Sequence, residues 1–298
     1  MIAETTRYLV WATVVENRFT GEDANVLVIE SQEIARNAIP GSFVTIKVGN
    51  GDEPLLRRPF SIHRVMENRF FWLLVRKIGK GTRRIALTQP GEQISVLGPL
   101  GCGYQPSKDI RRVVLVGGGV GVAPLLFAAD RLLQDKVETV VALGAARSGN
   151  LYSMDAFRLL EAPVHLATED GSTGRKGLVT DLLAETIPTD PIEILMMRKK
   201  RGFDADLLAE KIPPAEFTEI FACGPMPMLG AVARWARAHG VKCKVCLETV
   251  MACGVGSCQG CAIPIRSISD AVSHYERICC EGPVFDSWAV FPQEEAHG

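Results

Sequence analysis

The sequence lacks any run of apolar residues near the roughly 20 needed to span a bilayer. Its opening stretch, MIAETTRYLVWATVVENR, is charged throughout and lacks the basic, apolar, small-residue order of a secretory leader. An excess of one charge is missing too: 33 basic and 34 acidic residues leave a net charge of -1, so nothing electrostatic calls for nucleic acid. These absences lead us to expect a cytoplasmic protein, where reducing conditions disfavour disulfides. Disulfides are not needed either, because 298 residues can bury about three quarters of their unfolded surface. Cysteine is also scarce over most of the chain. Seven of the nine cysteines (Cys243, Cys246, Cys253, Cys258, Cys261, Cys279 and Cys280) lie in the last fifth.

What is present divides into three parts. Residues 1–106 hold short β-branched and aromatic runs, YLVWATVVENR, NVLVIESQ, GSFVTIKV, RFFWLLVRKI and EQISVLGPL, separated by Gly, Pro and Asn. Several such runs at close spacing predict an antiparallel β-barrel. The turn-rich GPLGCGYQPSKD reads as a linker. Over 107–240 apolar strands (RRVVLVGG, TVVALGA, PVHLATED, FTEIFACG) alternate with helical stretches (APLLFAADRLLQD, LVTDLLAETI, PMLGAVARWARAHG). That alternation predicts an α/β domain with a parallel sheet covered on both faces. Residues 241–298 form the cysteine-rich segment. DLLAETIPT at 181–189 is nearly repeated as DLLAEKIPP at 206–214, an offset of 206 − 181 = 25, which reads as a short tandem duplication. Two copies are too few for a solenoid. The basic run at 198–201 between them reads as a solvated turn, with a docking patch as the alternative.

Three segments have the chemistry of nucleotide cofactors. Arginine beside a small hydroxyl residue in RRPFS, residues 57–61, can hold a phosphate and the edge of a flavin ring, since its fork makes charge-assisted bonds to phosphate oxygens. Gly79 and Gly81 in IGKGT let backbone approach a diphosphate at the start of a helix. A plain turn and a plain helix cap are the bland readings of these two segments. In VVLVGGGVGVAPLL, Gly117, Gly119 and Gly121 follow a strand and precede a helix, where free N–H groups can face a pyrophosphate. A glycine turn serving only helix–sheet packing is the alternative. Pro124 fits the helix's first turn. Cys223, Gly224 and Pro225 end a later strand at the carboxyl edge where nucleotides bind in such sheets. A buried structural role for Cys223 is equally open.

The cysteines form the most specific pattern. Cys253, Cys258 and Cys261 are spaced C-x4-C-x2-C, and Cys279 follows after 279 − 261 − 1 = 17 residues. This is the plant-type spacing for a [2Fe–2S] cluster, with Gly254, Gly256 and Gly260 suited to wrapping it. Two CxxC knuckles, Cys243/Cys246 and Cys258/Cys261, offer a zinc-ribbon alternative, but they strand Cys253 and Cys279 and leave a short loop. Cys243 and Cys246 otherwise read as buried small hydrophobes on the strand VKCKVCLE, where alternate positions face one side. Either Cys279 or Cys280 fits as the fourth ligand.

The motifs RRPFSI, GKGTRR, PGEQISVLGPLG, LVGGGVGVAPL, EDGSTGRKGLVTDLL, FACGPMPML, MACGVGSCQGC and RICCEGPVFD occur in order over nearly the whole chain. In these the sequence resembles the electron-transfer subunit of NAD-dependent (class 1B) dihydroorotate dehydrogenase, within the ferredoxin-reductase superfamily. The resemblance implies FAD binding by Arg58, Pro59, Phe60, Ser61, Leu74, Val75, Arg76, Gly81 and Thr82. It also implies cluster ligation by Cys253, Cys258, Cys261 and, as the fourth, Cys279. Three features depart from the family: Cys280 stands where a charged residue is usual, Thr173 replaces an aromatic, and the duplication lengthens the nucleotide domain.

The implied function is electron transfer in pyrimidine (UMP) biosynthesis. An FMN-containing dihydroorotate dehydrogenase catalytic subunit, paired in a heterotetramer of two of each, would supply electrons. These would pass through the [2Fe–2S] cluster and FAD to NAD+. The chain would then be an oxidoreductase subunit whose task is placement and tuning, with no general acid or base assigned. Two readings stay open. One is another flavin/iron–sulfur oxidoreductase subunit of the ferredoxin:NADP oxidoreductase or sulfhydrogenase type; the other is a zinc-stabilised interaction protein. NADP also stays open, because Arg147 and Ser148 follow the second strand of the nucleotide domain, where an arginine could meet a 2′-phosphate. The glycine-rich cluster loop, with Val255 and Gln259, is the expected contact with the partner.

Overall fold

The computed structural model describes residues 6–49, 54–187, 217–266 and 273–292. Six strands, β1 (Tyr8–Thr20), β2 (Ala24–Glu30), β3 (Phe43–Ile46), β4 (Arg58–Met66), β5 (Phe70–Arg76) and β6 (Gln93–Leu100), close a barrel in the order β1-β2-β5-β4-β3-β6. All neighbours within it are antiparallel. Inward side chains such as Val14, Leu27, Ile29, Ile62, Leu73 and Val75 are fully buried, as strand alternation and β-branched packing require. The five β-like runs in the sequence account for β1, β2, β3, β5 and β6. The sixth strand, RPFSIHRVM, carries Arg58-Pro59 at its start and His63-Arg64 in its middle, which interrupts the apolar alternation. Arg58 to Ser61 of the RRPFS motif thus open a strand.

Parallel strands β7 (Arg112–Gly118), β8 (Glu138–Ala145), β9 (Val164–Thr168), β10 (Arg175–Lys176), β11 (Thr218–Cys223) and β12 (Lys242–Cys246) build a second sheet, joined at one edge by antiparallel β15 (Val284–Asp286). The order is β10-β9-β8-β7-β11-β12-β15. Helices Ala123–Gln134 and Met226–Ala238 cover it. β13 (Ala262–Arg266) and β14 (Ser273–Arg277) form a separate hairpin. LVTDLLAETI is a 3-10 turn, Val179–Leu182, running into a single helical turn, Leu183–Thr186. The second copy of the repeat and the basic run at 198–201 lie outside the described residues.

Cys243 and Cys246 are buried, but on opposite faces of the sheet. Cys243 joins Ile220, Val245 and Phe285 in one core, and Cys246 joins Cys223 and Phe221 in the other. A separation of three residues along a strand requires opposite faces. Neither cysteine stands in a metal-binding knuckle, since both belong to a strand paired on both sides.

The linker is firmly seated. Tyr104 is buried and stacks on Phe221 with ring centroids 4.1 Å apart. Its hydroxyl donates to the fully buried Glu219 Oε1 at 2.9 Å, and the Ser107 hydroxyl also donates to Glu219. Among the described residues no helix is long and apolar enough to cross a membrane.

One buried histidine joins the barrel to the sheet domain. His63, fully buried on β4, lies 2.6 Å from the Ala123 carbonyl through Nδ1 and 2.8 Å from Ser153 Oγ through Nε2. A carbonyl only accepts, so Nδ1 carries the proton and the Ser153 hydroxyl donates to Nε2. Burial is the main cause that pushes this imidazole down to about 4 from 6.5. A depressed histidine pKa means that the unfolded chain binds the extra proton first. The His63 contribution to stability is therefore complete above about pH 6.5 and declines as pH falls toward about 4. Across that window stability should drop by up to about 1.4 kcal/mol per pH unit from this group. Denaturant titrations at stepped pH should show this slope, and it should flatten in His63→Gln.

Candidate cofactor sites

A cavity of about 220 Å³ opens where the barrel, the sheet and the cysteine-rich segment meet. Pro59, Phe60 and Ser61 on β4, Leu74 and Arg76 on β5, and Thr82 beyond it face this space. Leu74 and Arg76 share a face because they are two apart on a strand. Val75 between them points into the barrel core. Arg58 lies over Gly81, where a Cβ would come within 3.0 Å of the guanidinium Nε. Thr82 Oγ1 accepts from the N–H groups of Ile78 and Gly79, each at 3.0 Å, which fixes the GKGT turn.

The opposite wall was not legible from motifs. It comprises Val120 from the glycine turn, Ala123 at the start of the following helix, Cys246 at the end of β12, Leu247, Glu248, Thr249 and Met251 after it, and Pro283 before β15. The Leu247 N–H donates to the Pro283 carbonyl at 2.9 Å and holds the two chain segments together. The sequence shows CLETVM only as the approach to the cysteines. That it turns back under the barrel follows from the β12–β15 pairing, a long-range contact with no local signal.

A second cavity, about 440 Å³, lies along the carboxyl ends of the parallel strands. Gly119 and Pro225 line it, together with Ala145, Tyr152, Glu169 and Gly177 to Thr180. The other expected residues take supporting positions. Gly117 packs under Leu125 and Leu143, and Gly224 lies against Met228. Gly121 passes so close to β11 that a Cβ would stand 2.3 Å from the Cys223 carbonyl. Cys223 itself is fully buried against Cys246 and does not line this cavity. Contact with Cys246, then burial, pushes its thiol well up.

Arg76 borders both cavities. Its Nε donates to Asp23 Oδ2 at 2.8 Å, and the Tyr152 hydroxyl donates to Asp23 Oδ1 at 2.6 Å. Burial alone would raise the Asp23 carboxyl, but the bonds from Tyr152 and Arg76 outweigh it and hold the group below its usual value. A fixed cation thus stands between the two spaces. Arg147, considered for a 2′-phosphate, is paired with Glu22 of the barrel at 2.6 Å.

The cysteine loop follows. Cys253 Sγ accepts from the N–H groups of Val255 (3.4 Å) and Cys258 (3.5 Å). Burial would raise this thiol, yet the surrounding N–H groups outweigh it and lower it below its ordinary value. Further along the chain, the Ile278 N–H donates to the Cys261 carbonyl at 3.1 Å and brings Cys279 beside Cys261. Burial, then the neighbouring Cys261 and Cys280 thiols, push Cys279 up. Cys280 Sγ is 3.7 Å from Cys279 Sγ and occupies the space a Cβ on Gly256 would need. Gly256, at φ +89, therefore has both a backbone and a packing reason to be glycine. Among the described residues no three His, Cys, Asp or Glu side chains surround a single point as a lone metal ion needs. Cys253, Cys258 and Cys261 are instead strung along a loop with N–H groups turned to Cys253, and Cys279 lies beside Cys261, a donor set that fits a thiolate-bound cluster.

Arg277 and Glu281 brace this loop and were not singled out by the sequence. Arg277 Nη1 donates to the Gly256 carbonyl at 3.0 Å, and its Nε donates to Glu281 Oε2 at 3.0 Å, bracketing the Cys279-Cys280 turn. The RICCEG segment that contains them was the only available signal.

A family model described as the iron-sulfur cluster binding domain of dihydroorotate dehydrogenase B matches residues 248–291. Two curated relatives are the electron transfer subunits of dihydroorotate dehydrogenase B (NAD(+)) from Desulforamulus reducens and Shouchella clausii. The first is 36% identical over 88% of this chain and 90% of its own length. The second is 33% identical over 92% and 94%. The solved structure of an NADH-dependent reduced ferredoxin-NADP oxidoreductase, studied for flavin-based electron bifurcation, superposes with a TM-score of 0.73 at 28% identity. It covers 94% of this chain and 90% of that one. The ferredoxin reductase of carbazole 1,9a-dioxygenase, at 18% identity and TM-score 0.62 over 80% of this chain and 68% of that one, shares the fold.

Barrel, parallel sheet and cysteine loop around a shared cleft define a ferredoxin-reductase-type oxidoreductase extended by an iron–sulfur domain. The chain belongs to the family of dihydroorotate dehydrogenase B electron transfer subunits.

Two variants test the site geometry. Gly121→Ala should cost about 1–3 kcal/mol by overpacking against β11 and weaken nicotinamide-nucleotide binding, read by thermal melts with and without NAD+. Arg277→Ala should leave the fold intact but speed loss of the cluster's visible absorbance to a chelator several-fold.

Proposed function

We propose that this chain passes electrons from an FMN-containing catalytic subunit of dihydroorotate dehydrogenase to NAD+ through a [2Fe–2S] cluster and FAD, in a complex of two copies of each subunit. One observation carries the reading. One cavity is lined both by barrel residues of β4 and β5 and by residues between 246 and 251, which lead directly into the cysteine loop, and it shares Arg76 with the cavity at the ends of the parallel strands.

Each part has its residues. Arg58, Pro59, Phe60, Ser61, Leu74, Arg76, Gly81 and Thr82 hold FAD, with Val75 keeping its neighbours in register from the barrel core. Gly119 and Pro225 contact NAD, while Gly117, Gly121, Cys223 and Gly224 shape that turn from behind. Cys253, Cys258, Cys261 and Cys279 bind the cluster. The inward N–H groups at Cys253 would help to set its potential. Bound flavin supplies the exchange between single electrons and a hydride, since a cluster carries one electron and nicotinamide accepts two with a proton. The engagement of Arg147 by Glu22 supports NAD over NADP.

The cluster loop also supports a partner contact, because Val250, Ser257, Cys258 and Gln259 are exposed there. Val255 is half-buried against the core, so Gln259 is the cleaner probe. Co-purification with the catalytic subunit, followed by an assay of dihydroorotate-dependent NAD+ reduction, tests the reading. Activity should appear only with both chains present. Gln259→Glu should slow it severalfold without bleaching the protein, and unchanged turnover would remove the loop from the interface. Cys253→Ser should abolish dihydroorotate-driven turnover while leaving flavin bound and reducible by NADH.

A further inference from the structure

The flavin cavity contains one carboxyl group that no step so far uses. Glu248 is the only acidic side chain among the described residues that line it. It lies two residues after β12, between Leu247 and Thr249, and lines the same cavity as Ser61 and Arg76. It makes no hydrogen bond or ion pair to any described residue. Its side chain is exposed where it borders the open cavity, yet protein crowds around it, and that desolvation raises the carboxyl above its ordinary value. A cation is already fixed on the same cavity by Asp23, so Glu248 is not needed to neutralise Arg76.

Proton counting gives this group a task. This step rests on the reading above, in which electrons arrive through a metal cluster and leave as hydride. Two electrons passing singly through thiolate-bound iron bring no proton. A hydride given to NAD+ removes two electrons and one proton. Each NADH formed therefore requires one proton to reach the flavin ring from the protein side, and the cavity walls are mostly apolar: Phe43, Phe60, Leu74, Val120, Leu247 and Met251.

We propose that Glu248 is the proton donor to the flavin, a catalytic residue of this subunit. Its protonated carboxyl gives up one proton as the second electron arrives. The resulting carboxylate takes a proton back from water through the exposed mouth of the cavity. Two electrons and one proton enter, one hydride leaves, and the carboxyl is restored.

The test uses the full chain reconstituted with FAD and cluster, comparing wild type, Glu248→Gln and Glu248→Asp. Dithionite supplies electrons without protons, whereas NADH supplies hydride directly and bypasses the proposed step. In Glu248→Gln, flavin reduction by dithionite should slow about a hundredfold, the lower range for loss of a general acid, and hydride transfer from NADH should be unchanged. Glu248→Asp should recover part of the rate. Reduced-minus-oxidised infrared spectra should show a carboxylic C=O band change in wild type that is missing in Glu248→Gln. Equal dithionite rates and an unaltered infrared difference in Glu248→Gln, with NADH reduction intact, would overturn the proposal and leave the electron-transfer reading standing. Failure of wild type to bind flavin or be reduced by NADH would overturn both.

Discussion

Three backbone pairings between β12 and β15 (Lys244 with Asp286, Val245 with Phe285, and Cys246 with Val284) fix the geometry on which the rest depends. They add a strand from the cysteine-rich segment to the edge of the nucleotide sheet. The chain leaving β12 thereby passes beside the barrel, where it lines the cavity shared with β4 and β5, before it enters the cysteine loop. The return strand delivers Pro283 to the same wall and, just upstream of it, Cys279 to the loop. A short ladder with both ends anchored in protein thus sets the distance between the cysteines and the cavity.

Charge is placed with the same economy. The barrel and the sheet domain share an apolar core, in which Val26, Trp72 and Leu74 pack with Leu125 and Tyr152, and directed contacts add to it, among them His63 to Ala123 and Ser153, Arg64 to Asp130, Asp23 to Tyr152, and Glu22 to Arg147. The Asp23 contact also orients Arg76, so an inter-domain hydrogen bond positions the cation shared by the two cavities. Interface and site are therefore coupled. A change that loosens the domains would also move the charge that faces both cavities.

Much of this was legible in the sequence, and the reasons differ by element. Five barrel strands announced themselves through β-branched alternation, and the parallel strands through continuous apolar runs before glycine turns. β4 escaped because its functional residues, Arg58, Ser61, His63 and Arg64, replace the alternation that marks a strand. The cysteine spacing pointed to the segment that the iron-sulfur binding family model matches, because the order of cysteines along the chain is a local property. Residues that the motifs singled out, Pro59 to Ser61 with Leu74, Arg76 and Thr82, line one cavity together, the one proposed for flavin. The other wall, Cys246 to Met251 and Pro283, is assembled by strand pairing between distant segments and leaves no local trace. Cys223 shows the converse. Its motif places it at the nucleotide-binding edge, yet strand alternation turns its side chain into the core, and of its two neighbours in the motif only Pro225 lines the cavity.

The central claim is that four thiols hold a two-iron cluster next to a flavin in one chain. The most direct measurement is low-temperature electron paramagnetic resonance of anaerobically purified, reduced protein, with flavin quantified on the same sample. The account predicts about one spin per chain from a reduced two-iron centre, together with one FAD. A spin-silent preparation with full flavin and stoichiometric zinc, or a signal from a different kind of cluster, would contradict it.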